Sequence, residues 1–143
     1  MVSYTYESIT SFFHKIAPLT LRVGMSLVFF LFAYFQLRDP TNFIGYIPEF
    51  IYMANIHNID FLLTLIKINA ILEIILGTFL LLGLFTRTVS FLLFIHILLI
   101  TLSLGFTLDG VRDLGLTFAM LAIFLNRRDA FSLDTYWRKK RKK

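Results

Sequence analysis

Residues 61–87 read FLLTLIKINAILEIILGTFLLLGLFTR, and this stretch decides the fold. About 25 apolar residues in succession, at a helical rise of ~1.5 Å each, are long enough to cross a bilayer. Yet Lys67 and Glu73 stand inside it. Glu73 falls about 17–18 Å from either end, close to the midplane of a ~30 Å hydrocarbon core. An unpaired charge there costs roughly 2.5–3.5 kcal/mol on insertion scales. Glu73 therefore demands a partner or a polar cavity, and the rest of the chain has to supply it.

The totals agree with a membrane chain. Of 143 residues, 57% are hydrophobic and only 16% charged, and 17 are phenylalanine. A soluble globular domain carries about a quarter charged residues. The expected fold is all-α, an integral membrane four-helix bundle forming a single membrane domain over residues 1–143. There is no cysteine, so disulfides, thiolate chemistry and cysteine-ligated iron–sulfur clusters cannot come from this chain. The net charge of +5 comes mainly from the basic tail, residues 135–143. That tail reads as a cytoplasmic membrane flank, and nucleic acid is not an expected partner. The N-terminal MVSYTYESITSFFHK lacks a charged n-region and a small-residue cleavage site, so no removable signal peptide is expected.

In chain order, residues 1–17 read as an interfacial segment, apolar through Tyr4, Tyr6, Phe12 and Phe13. Pro18 then opens a first span over 19–37, where Arg22 can snorkel to the headgroups. Asp39-Pro40 ends it. The loop to Asp60 holds a short surface helix over 48–55, with Tyr46, Phe50 and Tyr52 suited to the interface. Asp60 can cap the second span, 61–85, and a tight turn follows at Thr86-Arg87-Thr88. The third span covers 88–108 and contains His96. The fourth, 109–126, must carry Arg112 and Asp113 into the membrane, because its uncharged part is only about 13 residues. Arg87, Arg127, Arg128 and the tail fall on one side, and the other has Arg38 against Asp39, Glu49, Asp60 and Asp109, which places both termini and the Thr86 turn in the cytoplasm.

The charges converge in depth. Asp113 and Arg112 lie about 20 Å in from the cytoplasmic end of the fourth span, and His96 about 12 Å in from the same side. Lys67 lies about 9 Å from the opposite surface. Asn69, Glu73 and Gly77 share one helical face, small and polar enough for an interior contact, and Gly115 would let the fourth helix approach closely. Glu73, Arg112, Asp113 and His96 are the candidate catalytic residues, and Glu73, Arg112, His96 and Asn69 the candidate cofactor-binding ones. Two readings compete. One is a buried Arg112–Glu73 ion pair that pins the bundle; the other is a proton relay or an anchor for a quinone or anionic substrate. Haem is not expected, since His14 and His57 fall at opposite surfaces from each other and away from His96. No metal spacing, phosphate loop or nucleophile motif occurs.

These residues resemble the DoxX/DoxD family of small prokaryotic membrane proteins. The resemblance rests on LRVGMSLVFFLFAYFQLRDP (Arg22, Gly24, Asp39, Pro40), ILEIILGTFLLLGLFTRT (Glu73, Gly77, Gly83, Thr86, Arg87), VRDLGLTFAMLAIFL (Arg112, Asp113, Leu114, Gly115) and FSLD at 131–134. It covers residues 19–134. Two departures stand out: Gln36 occupies the place of the family's usual lysine, with Lys67 able to substitute for its charge, and 126–129 read NRRD instead of Gly-Pro-Gly. The resemblance implies a multi-pass protein of the prokaryotic inner (plasma) membrane. It further implies a membrane subunit of a redox complex, similar to thiosulfate:quinone oxidoreductase, with quinone as cofactor and a redox subunit as partner. The alternatives are a non-catalytic scaffold that recruits a soluble partner or anionic lipid through its basic tail, and a small transporter built as a homo-oligomer.

Overall fold

A computed structural model describes residues 2–48, 51, 58–126 and 131–140. The surface helix expected over 48–55 lies largely outside them, as do His57, Arg127, Arg128 and the end of the tail. Among the described residues five α-helices follow one another: α1 Val2–Arg38, α2 Ile59–Leu82, α3 Thr86–Leu104, α4 Leu108–Leu125 and α5 Leu133–Lys140, with a 3-10 segment, Pro40–Tyr46, after α1. No strand occurs among the described residues. Thr10–Arg38, Ile59–Leu82 and Thr86–Leu104 are each long and apolar enough to cross a membrane. With the 18-residue α4, they make an all-α membrane bundle.

Where the helices begin and end corrects several expectations. Pro18 lies inside α1 and does not open it. Its ring displaces the carbonyl of His14, which costs about 3 kcal/mol in a packed helix interior. Here residues 10–15 are exposed, so that carbonyl keeps access to other donors. Asn58, and not Asp60, caps α2: its side-chain oxygen accepts from the amides of Asp60 at 2.9 Å and Phe61 at 3.4 Å. Thr86 begins α3, and the turn before it is Gly83–Phe85, with Gly83 in the left-handed region at φ +69°. Thr107 caps α4 by accepting from the Gly110 amide.

α1 packs along α2 and α3 along α4, while the two pairs meet more sparsely, through α1–α4 and α2–α3. The lengthwise halves of the bundle differ. Toward α5 the interior is apolar and close-packed, built from Met25 and Phe29, Leu80, Val89, Leu93 and Ile97, and Met120 and Ile123. Small residues let the helices approach there. A Cβ on Gly77 would stand 3.1 Å from the Phe30 ring; farther from α5, beyond His96, Thr101 and Thr117 meet at 3.3 Å between α3 and α4. Gly115 makes no such contact, since nothing lies within 4 Å of where its Cβ would be, and it sits on the exposed face of α4.

The α5 end is closed by a contact set far apart in sequence. Asp134 accepts from the amides of Phe85 (3.0 Å) and Thr86 (2.8 Å), two of the orphan donors at the start of α3, and its own amide donates to the Gly83 carbonyl. A carboxylate at a helix N-terminus also suits the helix dipole. Arg22 does not snorkel outward: it is 2% exposed, and its Nη2 donates to the Phe131 carbonyl at 3.2 Å. Gly83 sits under this cap, where a Cβ would come 2.5 Å from Arg22 Nη1 and 2.8 Å from Ser132 Cα. Gly83→Ala should therefore cost about 2 kcal/mol or more, left-handed strain adding to overpacking. Thermal unfolding in detergent reads this as a lowered Tm; an unchanged Tm would mean that residues 131–134 do not seat on Gly83.

Candidate functional site

In the other half of the bundle the packed core gives way to polar groups. α1 and α3 each turn one toward the centre, and α2 turns two. Gln36, near the end of α1, is buried, and its Nε2 donates to Glu73 Oε2 at 3.0 Å. Asn69, one turn before Glu73 on α2, uses Nδ2 twice, toward Glu73 Oε1 at 2.8 Å and Gln36 Oε1 at 3.0 Å. From α3, His96 Nε2 lies 3.3 Å from Glu73 Oε1 and donates to it in the Nε2–H tautomer. Glu73 itself is 4% exposed. Its two oxygens thus face donors from three helices, which is how a carboxylate is kept in an apolar medium without water.

The Arg112–Glu73 ion pair does not form. Arg112 bonds instead to Asp113 (Nε to Oδ1, 2.8 Å), Asp109 (3.1 Å) and the Tyr46 hydroxyl (3.4 Å), and its guanidinium lies 5.1 Å from the centre of the Phe32 ring. The reason is helical geometry. Successive residues are turned about 100° apart at 3.6 residues per turn, so Arg112 and Asp113 cannot both point inward. Asp113 is buried and Arg112 lies on the outer face. Lys67 is exposed on α2 and takes no part in the cluster. His14, too, is exposed and remote from it.

Beside the cluster lies a cavity of about 320 Å³ between α1, α2, α3, α4 and the 3-10 segment. Its walls are chiefly aliphatic and aromatic, and its polar groups are Gln36, Asn69, Glu73, His96, Asp113 and Tyr46. A smaller void of about 30 Å³ borders Glu73, His96 and Asp113 from the side of Phe29 and Leu116. The predicted set is therefore partly united: Glu73, His96, Asn69 and Asp113 share the cavity, while Arg112 stands behind it and reaches it through Tyr46, Asp113 and the Phe32 ring. Sequence reasoning missed Gln36 and Tyr46 as site residues. Gln36 is neutral and sits at the end of an apolar run, so its signals were being polar in the same half of the membrane as Asn69 and standing where the resembled family usually has a lysine.

Because Gln36 supplies the donor that Glu73 Oε2 relies on, Gln36→Leu should destabilise the protein by about 1–3 kcal/mol, the penalty for an orphaned buried polar atom. The Tm in detergent measures it, and a Tm equal to that of the parent would show that Glu73 has no need of α1.

Comparison with curated proteins and with solved structures finds no match. Comparison with protein families matches residues 17–107 to DoxX. The matched region is more than half of the 143-residue chain; it runs from α1 to the cap of α4 and includes Gln36, Tyr46, Asn69, Glu73 and His96. With its apolar helices and this match, the chain is a membrane protein that belongs to the DoxX family.

Proposed function

We propose that this protein is the membrane subunit of a redox complex and that its cavity holds a quinone head group. The observation that carries the reading is a buried carboxylate, Glu73, in contact with an imidazole, His96, on the wall of an otherwise apolar cavity. Intramembrane ionisable residues of this kind mark ligand and proton sites. The cavity volume of about 320 Å³ falls in the range of small-molecule pockets, roughly 300–1,000 Å³.

The residues present fit such a group. A quinone head is a flat apolar ring with carbonyl acceptors, and the cavity offers donors beyond those spent on Glu73. Gln36 Nε2 has a second N–H, and Tyr46 accepts from Arg112 while keeping its own O–H to give. Arg112 thus acts through Tyr46, polarising its hydroxyl, and does not touch the ligand. The aliphatic walls exclude water and strengthen each of these hydrogen bonds. Glu73 and His96 hold a proton at their Oε1–Nε2 contact and exchange it there. When bound, a quinone supplies two-electron, two-proton redox chemistry; with no cysteine in the chain, the electrons come from a cofactor on a partner subunit. In the orientation set by the positive-inside rule, with both termini in the cytoplasm of a prokaryotic cell, the cavity belongs to the outer half of the plasma membrane.

Saturating short-chain benzo- or naphthoquinone analogues should raise the Tm of the detergent-solubilised protein, by about 2.7 kcal/mol of stabilisation at a hundredfold excess over Kd. Glu73→Gln should remove most of that shift, since an amide offers one acceptor oxygen to donors from three helices. No shift in the parent with either quinone class would overturn the proposal.

A further inference from the structure

The walls of the cavity differ in what lies behind them. Most lining residues are backed by protein, but Ile68 and Leu72 on α2 and Leu99 on α3 line it and are also 49%, 51% and 48% exposed on the outer surface of the bundle. A side chain that faces a cavity and the exterior at once stands at the edge of an opening. These residues stand on the two helices that meet sparsely although they are consecutive. The opposite approach, from the loop end, is covered by Tyr46, Pro48 and Ile51, which also line the cavity. We infer that the cavity opens sideways between α2 and α3, and that its ligand is a single-tailed amphiphile whose apolar tail leaves through this mouth while its head stays beside Gln36, Tyr46 and His96.

Depth sets the class of ligand. Leu72 lies about 20 Å from the start of α2 and about 15 Å from its end at the helical rise, so the mouth faces hydrocarbon and not headgroups or water. A water-borne anion would have to cross the apolar layer unaided to reach it; a solute already dissolved in the bilayer meets it by lateral diffusion. The chamber itself has room for a head group and not for a long isoprenoid or alkyl chain as well, so a tail must pass between Leu72 and Leu99. Leucine and isoleucine at the rim suit it, since they offer an apolar surface with no donor or acceptor left unanswered. This inference rests on the quinone reading for the identity of the head and adds to it the path of the tail.

The test uses the full chain in lipid nanodiscs and two probes with the same benzoquinone ring, one with no tail and one with a ten-carbon tail. Leu72→Trp and Leu99→Trp narrow the mouth from its two sides; both positions are half-exposed, so the bundle tolerates the larger ring. Ile71→Trp, exposed on α2 outside the cavity lining, is the control. The variant-to-parent ratio of Kd is taken for each probe, which cancels membrane partitioning. Each mouth variant should weaken the tailed probe at least about tenfold, as overpacking does. The same variants should change the tailless probe by less than about twofold, and Ile71→Trp should change neither. Equal weakening of both probes, or no weakening of either, would overturn the lateral path while leaving the head site in place. Binding of neither probe to the parent would overturn the quinone reading and the path with it.

Discussion

A carboxylate held near the middle of an apolar layer is the constraint on which this bundle turns. Left without donors, Glu73 would cost several kcal/mol, a large share of the stability of a small domain. Three helices answer it. Gln36 on α1 takes one oxygen, Asn69 on α2 takes the other and braces Gln36, and His96 on α3 closes the set. Those bonds that join two helices, from Gln36 to Glu73 and Asn69 and from His96 to Glu73, also fix helix rotations, because a side chain reaches the centre from only one face of its helix. The polar cluster thus specifies the register of α1 and α3 against α2, which leucine and isoleucine faces alone do not.

The division of the bundle into a packed half and a hollow half follows from the same residues. Toward α5 the helices carry Met25, Phe29, Leu80, Leu93 and Met120, side chains that interlock and need nothing but one another. In the other half the polar side chains of Gln36, Asn69 and Glu73 draw together, and the rings of Phe32 and Phe43, edge to face at 6.3 Å, form a neighbouring wall. The close-packed half serves as the frame on which the hollow half is mounted. That arrangement suits a binding chamber, whose walls have to stay in place when they are not pressed against each other.

Much of this was legible in the sequence, for identifiable reasons. Apolar runs longer than a membrane crossing announce helices, and a lone glutamate at mid-depth announces a polar interior. Depth counted along the helices brought His96 and Asp113 toward Glu73. Depth does not give azimuth, and there the reading failed. Arg112 shares the depth of Asp113 but faces about a quarter-turn or more away, so the more obvious counter-charge was the wrong one. A neutral amide, Gln36, does the work assigned to it. Arg22 shows the other limit. One turn into a span, a lone arginine reads as a snorkelling side chain, and only the return of the chain 109 residues later, at Phe131, gives it an interior acceptor. Local pattern carries no information about such a contact.

The capping of α3 by Asp134 bears on how the protein is made. A chain emerges N-terminus first, so α3 is synthesised before the residue that completes its first turn, 48 positions beyond Thr86. Until that residue arrives, the amides of Phe85 and Thr86 have no side-chain acceptor. Closure is thus the act of a segment translated after every spanning helix. Products that stop short of Asp134 would carry the same hydrophobic spans with the first turn of α3 left uncapped.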